Sequence, residues 1–219
     1  MSKINKNIHY LAIAILIGGK STRFGSDKGL FKFKGKPMIS YELEVLEQLN
    51  YPIFLVANSK TQVQNYINII NYEKISGFIV DDYDLISDQN IHTPMLGLYT
   101  AFKDLNQLGY KKVLILPCDQ PYIKINVLKY LIKESRNFDC CIPQWNNGFL
   151  EPLFAIYPVH KAFIKARENL LNKSFKLTDL LDNNWKINYI LIEKSIKRLN
   201  NNLSSFMNFN NPSDIKEFN

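Results

Sequence analysis

Tyr10-Leu-Ala-Ile-Ala-Ile-Leu-Ile17 is an uncharged apolar run that leads directly into the loop Gly18-Gly-Lys-Ser-Thr-Arg-Phe-Gly-Ser-Asp-Lys28. An apolar run of this length predicts a strand that is buried on both faces, as in the middle of a parallel sheet. Glycines let the loop backbone approach a ligand closely, and Arg23 and Lys28 add positive charge beside its N–H groups. A strand that ends in such a loop favours binding of the phosphates of a nucleotide.

Two common phosphate-binding loops do not fit this stretch. A Walker A loop has a glycine five positions before its Gly-Lys-Ser, but Ala14 occupies that position, inside the strand. The dinucleotide fingerprint Gly-x-Gly-x-x-Gly also fails, because the glycines stand at positions 18, 19 and 25. The loop therefore belongs to neither the P-loop class nor the dinucleotide-binding class.

Strand and helix patterns alternate along most of the remaining chain. Further strands are predicted at 52–57, 77–80, 112–116, 139–143, 151–157 and 188–192. Helices are predicted at 39–49, 61–70, 94–105, 125–132 and 160–171, with most glutamates of the first helix outside its apolar stripe. This alternation predicts an α/β fold: a three-layer, Rossmann-like, mostly parallel sheet with helices on both faces. The asparagine-rich segment 198–205 is predicted to be an exposed loop, and a C-terminal helical turn is predicted beyond Pro212.

Polar side chains follow three of the later strands. Asn58, Asp82 and Asp119 each lie within three residues of the end of an apolar strand pattern. Because parallel strands present their carboxyl ends at one edge of the sheet, we expect these side chains to share a crevice with the glycine-rich loop. A carboxylate at the position of Asp119 is well placed to hold Mg²⁺, which prefers oxygen ligands and bridges to phosphates.

Composition indicates a globular protein. The chain has 219 residues, of which 46% are hydrophobic, and this length fits a single domain. We predict one domain over 1–219, with a nucleotide-binding half at 1–122 and an acceptor-substrate half at 123–219. The three cysteines lack metal-ligand spacing, so we interpret them as small buried apolar residues in a reducing compartment.

Charge and hydropathy argue against nucleic acid and membrane as partners. The net charge is +7, but the cations are scattered and no run interleaves them with aromatic residues. The longest apolar run is too short to span a bilayer, and the N-terminal residues lack the apolar region of a signal peptide. We therefore expect a cytoplasmic protein that attracts anionic small molecules.

The loop resembles the nucleotidyltransferase signature Gly-Gly-x-x-x-Arg-x-Gly-x-x-Lys, and most closely the form found in the molybdenum cofactor guanylyltransferase family. Ile17 and Phe24 stand where that family has Ala and Met. In the family's Gly-Pro-Leu-Ala-Gly-Ile motif, Thr93 stands in place of the first Gly and Leu96 in place of the Ala. Besides the loop, four segments resemble motifs of this family in the same order: Pro94-Met-Leu-Gly-Leu98, Pro117-Cys-Asp-Gln-Pro121, Glu151-Pro-Leu-Phe-Ala-Ile-Tyr157 and Asn208-Phe-Asn-Asn-Pro-Ser-Asp214.

The resemblance implies a role for each matching position. The backbone of Leu16, Ile17, Gly18 and Gly19 would contact guanine and phosphate. Lys28 and Arg23 would bind the triphosphate. Asn58 and Asp82 would contact the guanosine, and Asp119 would hold Mg²⁺. Asn210, together with Asn208, would approach the metal or the second substrate.

The implied reaction transfers GMP from GTP to the terminal phosphate of molybdopterin and releases pyrophosphate. A phosphate nucleophile is already anionic near neutral pH, so the reaction needs alignment and charge neutralisation rather than a general base. Transient contacts with proteins that deliver the cofactor are compatible with this reaction. Two alternatives stay open: a related nucleotidyltransferase that uses CTP or another phosphate acceptor, and a non-catalytic GTP-binding module.

Overall fold

A computed structural model describes residues 9–19, 27–85 and 93–209. Within these ranges the strands lie close to the positions predicted from the apolar runs. They are β1 (His9–Leu16), β2 (Lys32–Phe33), β3 (Lys36–Pro37), β4 (Ile53–Ala57), β5 (Gly77–Val80), β6 (Tyr110–Pro117), β7 (Cys140–Gln144), β8 (Ala155–Pro158) and β9 (Ile187–Leu191).

The α-helices occupy the predicted segments between the strands. They are α1 (Met38–Leu46), α2 (Lys60–Ile67), α3 (Pro94–Gln107), α4 (Ile125–Glu134) and α5 (Val159–Leu171). Shorter helical turns are at Glu47–Leu49, Tyr72–Lys74, Leu177–Leu180, Ile192–Ile196 and Ser204–Phe206. Side-chain caps explain two helix starts, because the Ser59 and Thr93 hydroxyls accept backbone N–H bonds at the N-termini of α2 and α3.

Seven strands form one sheet in the order β5-β4-β1-β6-β8-β7-β9, while β2 and β3 form a separate hairpin. Strand β1 pairs in parallel with both β4 and β6, and all of its residues from Leu11 to Leu16 are buried. Strand β8 runs antiparallel to both β6 and β7. The mostly parallel sheet predicted from the sequence is thus confirmed, with β8 as its antiparallel member.

Helices cover both faces of the sheet and give three layers. Leu43 of α1, Tyr66 of α2 and Leu131 of α4 pack in a core on one face. Phe102 of α3 and Ala166 of α5 pack in a second core on the other face. Each face of the sheet therefore has its own apolar core, as expected for strands that are buried on both sides.

Two predicted segments differ from the structure. Strand β8 begins only at Ala155, because residues 151–154 form a turn in which the Phe154 N–H bonds to the Glu151 carbonyl. Segment 198–205 is not the exposed loop that its composition predicts, since Asn200 and Ser205 are buried. The Asn200 side chain accepts the Ser205 N–H at 2.8 Å, so a polar side chain satisfies the buried backbone. The predicted C-terminal helical turn lies outside the described residues.

The cysteines and the helix lengths bear on two further predictions. Cys118, Cys140 and Cys141 are all buried and reduced, as the sequence indicated. Within the part of the chain that the structure describes, no helix has the length and apolar character needed to cross a membrane.

Candidate active site

Lys28 and Asp119 form a direct ion pair although they are 91 residues apart in sequence. Lys28 is the last residue of the glycine-rich loop, and Asp119 follows β6 beside the carboxyl end of β1. Their side chains are only 16% and 13% exposed, so the pair is shielded from bulk water. The expectation that the basic loop and the distant acid meet at one edge of the sheet is confirmed.

Asp119 has one carboxylate oxygen that this pair does not use. The Oδ1 atom is buried and has no hydrogen-bond partner among the described residues. A buried, unpartnered carboxylate oxygen fits a hard cation such as Mg²⁺. Across the described ranges, no three His, Cys, Asp or Glu residues cluster at metal-binding distances. A metal held by Asp119 would therefore draw most of its other ligands from water and phosphate, as Mg²⁺ usually does.

Glu42 lies beneath this pair and is fully buried. Its Oε1 accepts the Gln120 N–H at 2.9 Å, and its Oε2 has no partner within the described part of the chain. Burial raises the pKa of Glu42 well above its usual range, and the nearby Asp119 charge acts in the same direction. Glu42 thus ties α1 to the backbone that carries Asp119. The sequence-based placement of the helix glutamates outside the apolar stripe is wrong for this residue.

Gln62 joins three segments of the site. Its Nε2 donates to the Ile17 carbonyl at 2.9 Å and also to the Asp27 carboxylate, and its Oε1 accepts the Asn58 N–H at 2.8 Å. Tyr66, one helical turn later, donates its hydroxyl to Asp27 at 2.6 Å. These bonds fasten the start of the glycine-rich loop, its end before Lys28, and the residue after β4 to one face of α2.

The first glycine of the loop is needed for close packing. A Cβ at Gly18 would lie 3.0 Å from the Asn58 backbone nitrogen, which is tighter than side chains normally tolerate. The N–H groups of Ile17 and Gly18 both bond to the Val56 carbonyl, so they extend the sheet. At Gly19, by contrast, no described atom lies within 4 Å of the point that a Cβ would occupy, which leaves open space on that side of the backbone.

Asp82 lies at the end of β5 and is tied to α3. Its N–H donates to the Thr100 hydroxyl at 3.0 Å, and its carboxylate forms an ion pair with Lys103. Burial opposes ionisation of Asp82, but hydrogen bonds from Lys103 and from the Asp84 N–H prevail and lower its pKa. In this structure the Asp82 carboxylate therefore has a cationic partner within its own fold.

Asp81, the residue before Asp82, has no such partner. Its Oδ1 is buried and accepts no hydrogen bond from any described residue. Burial raises the pKa of Asp81 to about 7. A Cβ placed on Gly97 of α3 would lie 3.5 Å from Asp81 Oδ1 and 3.6 Å from Leu16 Cδ2. Asp81 and Leu16, at the ends of β5 and β1, thus both pack near Gly97 of α3.

The C-terminal motif reaches the same edge of the sheet. The Asn208 side-chain oxygen accepts the Gln120 Nε2–H at 2.9 Å, and the Phe209 N–H donates to the Asp119 carbonyl at 3.3 Å. Asn208 is therefore beside the Asp119 loop, and its predicted approach to the metal or the second substrate stays a prediction. Arg23 and Asn210, the remaining predicted site residues, lie outside the described residues.

Sequence reasoning did not single out Glu42, Gln62, Tyr66 or Asp81, although weak signals were present. Glu42 follows Ile39 by three residues and so falls within the apolar stripe of α1, where a charged residue is unusual. Gln62 and Tyr66 are four residues apart on one helix face, directly after Asn58. Asp81 and Asp82 are adjacent acids, and only the packing of α3 shows which one is unpaired.

Comparison with known proteins shows what this chain is similar to. A family model described as MobA-like NTP transferase domain matches residues 13–186. A probable molybdenum cofactor guanylyltransferase from Pyrococcus horikoshii is 33% identical over 207 residues, which cover 94% of this chain and 97% of that protein. A protein of the same name from Natranaerobius thermophilus is 31% identical over 94% of both chains.

A solved structure supports the fold. Molybdopterin-guanine dinucleotide biosynthesis protein A from Archaeoglobus fulgidus matches with a TM-score of 0.74 at 24% sequence identity, over 94% of this chain and 95% of that one. The two chains therefore share the arrangement of sheet and helices along nearly their whole lengths.

Proposed function

We propose that this chain, which belongs to the MobA-like NTP transferase family, transfers GMP from GTP to the terminal phosphate of molybdopterin and releases pyrophosphate. The family assignment makes the protein a nucleotidyltransferase, and relatives named probable molybdenum cofactor guanylyltransferase match it over almost its full length. The observation that carries the proposal is the contact between Lys28 and Asp119, because it joins the two motifs that this chemistry requires.

Charge neutralisation is the main task of the proposed site. The acceptor phosphate is anionic and needs no general base, whereas the triphosphate carries charge that repels the incoming nucleophile. Lys28, and with it Arg23, would bind the triphosphate and stabilise the charge on the phosphoryl oxygens in the transition state. The ion pair with Asp119 supports this role, because it holds the Lys28 ammonium at the edge of the sheet where the nucleotide is proposed to bind.

Mg²⁺ is the metal that we propose for this site. Asp119 would hold it through the buried Oδ1, which lacks any partner among the described residues, and Asn210 is a further candidate ligand. Bound there, Mg²⁺ would supply additional positive charge at the phosphates. Asn58 and the backbone at Gly19 would contact the nucleotide.

The two halves of the chain have different roles in this proposal. Residues 1–122 would bind the nucleotide, and residues 123–219 would bind the pterin acceptor, with Asn208 beside the Asp119 loop. A cytoplasmic location and transient contact with proteins that deliver or receive the pterin fit a reaction on a soluble cofactor precursor.

The decisive experiment incubates the protein with GTP, Mg²⁺ and molybdopterin and measures the guanine dinucleotide by mass and pyrophosphate by a coupled assay. We expect product with the wild type and a large loss with Asp119→Asn, which keeps the shape of the side chain but removes its charge. Replacing GTP by CTP tests the choice of nucleotide. Tight GTP binding without transfer to the pterin would contradict the proposal and favour a non-catalytic module.

A further inference from the structure

The peptide group between Asp119 and Gln120 is hydrogen-bonded at both of its ends. Its N–H, which belongs to Gln120, donates to Glu42 Oε1 at 2.9 Å, and its carbonyl, which belongs to Asp119, accepts the Phe209 N–H at 3.3 Å. Because a peptide group is planar, bonds at both ends fix the orientation of the whole plane. The Cα atom of Asp119 lies in this plane, so the two bonds also constrain the side chain that it carries.

Glu42 is an unusual residue for the place that it occupies in α1. Its neighbours Ile39, Leu43 and Leu46 belong to the apolar core on that face of the sheet. Within the described part of the chain, the bond from Gln120 is the one hydrogen bond of the Glu42 side chain, and Oε2 is buried without a partner. A buried carboxyl group with an unpartnered oxygen costs free energy of folding. Stability alone therefore does not account for a glutamate at this position.

Helix α1 contacts the backbone next to both members of the Lys28–Asp119 pair. The Ile39 N–H donates to the carbonyl of Gly29, the residue after Lys28, at 3.0 Å. Glu42, one turn later in the same helix, accepts the N–H of the residue after Asp119. One rigid helix thus sets the position of the cation and of the carboxylate relative to each other.

We propose that Glu42 is a positioning residue for the metal site: by fixing the peptide group after Asp119, it sets the orientation of the carboxylate that would bind Mg²⁺. This inference rests on the proposed function, in which Asp119 holds that metal. Asp119 Oδ1 is buried and has no hydrogen-bond partner among the described residues, so no bond of its own orients it. Its direction depends on the contact of Oδ2 with the Lys28 ammonium and on the backbone that Glu42 holds. Loss of a group that orients a metal ligand typically costs roughly 10- to 100-fold in metal affinity or activity.

The test measures how much Mg²⁺ strengthens GTP binding, by competition with a fluorescent GTP analogue in Mg²⁺ and in EDTA. For the wild type we expect tighter binding in Mg²⁺, and in Glu42→Leu we expect this gain to fall roughly 10-fold. GTP affinity in EDTA should change little, because the Lys28 ammonium and the glycine-rich loop are kept. A merely structural role of Glu42 would weaken GTP binding alike in both conditions.

Two further variants separate the bond to Gln120 from general effects on the fold. Glu42→Gln should retain the gain from Mg²⁺, because its amide oxygen can accept the same N–H. Asp139→Leu is the matched control, since Asp139 also accepts a backbone N–H, from Lys186 at 2.9 Å. Asp139 precedes β7, which runs parallel to β6, so it lies at the opposite edge of the sheet from Asp119. Whatever its stability, Asp139→Leu should show the wild-type gain from Mg²⁺.

The outcomes distinguish this inference from the proposed function. A gain from Mg²⁺ that is unaltered in Glu42→Leu, or that is lost equally in Glu42→Gln, would overturn the positioning role. Should Glu42→Leu fail to fold, Glu42→Asp replaces it with the same expected loss, because the shorter side chain withdraws the acceptor from Gln120. A gain that requires Glu42 without any GMP transfer to molybdopterin would instead contradict the proposed function and leave this inference standing.

Discussion

The ends of β6 and β5 each present an aspartate at the same edge of the sheet, but the two acids have opposite environments. Asp119 after β6 contacts the Lys28 ammonium, and Glu42 lies close by. Asp81 after β5 packs near Gly97 of α3 and has no cation among the described residues. The same residue type is therefore paired with a charge in one place and desolvated without a partner in the other.

The difference teaches that burial alone does not decide how a carboxylate is accommodated. A neighbouring cation compensates the lost hydration of Asp119, whereas Asp81 has no such compensation among the described residues. Lys28 and Asp119 offer the cation and the carboxylate oxygen that the proposed triphosphate site would need. Removing groups at each strand end tests whether the difference holds.

The largest effect is expected at the end of β6. Lys28→Ala or Asp119→Ala should lower kcat/KM for GMP transfer by about 2–4 kcal/mol of transition-state stabilisation, as for loss of one preorganised electrostatic group. Because the two side chains contact each other, the double variant should lose much less than the sum of the single losses. Pyrophosphate release at saturating molybdopterin measures both effects.

Lys74→Ala provides the control for that experiment. Lys74 forms an ion pair with Glu47 at 2.6 Å, but on the protein surface and away from the sheet edge. Its loss should leave kcat and KM unchanged, because an exposed pair is screened by water and salt. Equal losses of kcat/KM in Lys74→Ala and Lys28→Ala would mean that the assay detects general damage to the protein rather than loss of the active site.

The next largest effect is expected from Gly29→Ala. A Cβ on Gly29 would overlap the Tyr66 hydroxyl, and Tyr66 is fully buried and bonded to Asp27. We expect the free energy of unfolding to fall by about 1–3 kcal/mol, because the core has no room to accommodate the methyl group. Chemical denaturation measures this change.

Gly77→Ala is the matched control for the overlap at Gly29. Its Cβ would meet the Phe54 ring at 3.7 Å, an ordinary contact distance. We expect no loss of stability there, so a similar loss at both positions would show that glycine removal, rather than contact with Tyr66, is responsible.

Gln62→Ala should loosen the glycine-rich loop without removing a charged side chain. The substitution removes the bonds to the Ile17 carbonyl, the Asn58 N–H and Asp27. It leaves buried polar groups unpaired, at a cost of about 1–3 kcal/mol in stability. We expect KM for GTP to rise, because the segment that leads to Lys28 is held less firmly. An unchanged KM for GTP would contradict this positioning role of Gln62.

The smallest effect is expected from Asp81→Asn at the end of β5, which should raise the free energy of unfolding rather than lower it. The pKa of Asp81 is about 7 in the folded protein, above its ordinary value of 3.8, so ionisation opposes folding as the pH rises between these values. Asp81→Asn should therefore stabilise the protein at pH 8, on the order of 1 kcal/mol after allowing for the partial exposure of the residue.

The gain from Asp81→Asn should nearly vanish at about pH 3, where the carboxyl group is mostly protonated in both the folded and the unfolded state. Thermal unfolding at pH 3, 6 and 8 measures the trend, with Asp82→Asn as the comparison. A gain that is constant with pH would contradict the burial of an unpaired carboxylate at this position.

Much of the fold could be predicted because its signals are local. The apolar run at Tyr10–Ile17 predicted β1, Pro94 marked the start of α3, and β5 matched its predicted bounds. Residues 151–154 could not be predicted, because a strand-like composition does not reveal that the chain turns before joining β6. The packing partners that decide such a segment are distant in sequence.

The candidate site divides in the same way. Lys28 and Asp119 could be predicted as a pair, because each follows a parallel strand and such strands end at one edge. Glu42 was misplaced, because helix periodicity alone could not tell a buried carboxylate from a solvated one. Asp81 was overlooked in favour of its neighbour Asp82, whose partner Lys103 comes from another element.

The amino-acid sequence by itself determined the order of strands and helices, the edge at which the functional groups gather, and the family to which the chain belongs. Those properties follow from the spacing of apolar, glycine and charged residues along the chain. Only the tertiary structure decided which acid is paired, which is desolvated, and which side chains of α1 and α2 hold the loop. Charge state and hydrogen bonding depend on atoms brought together from distant positions, and the linear pattern of residues does not specify those contacts.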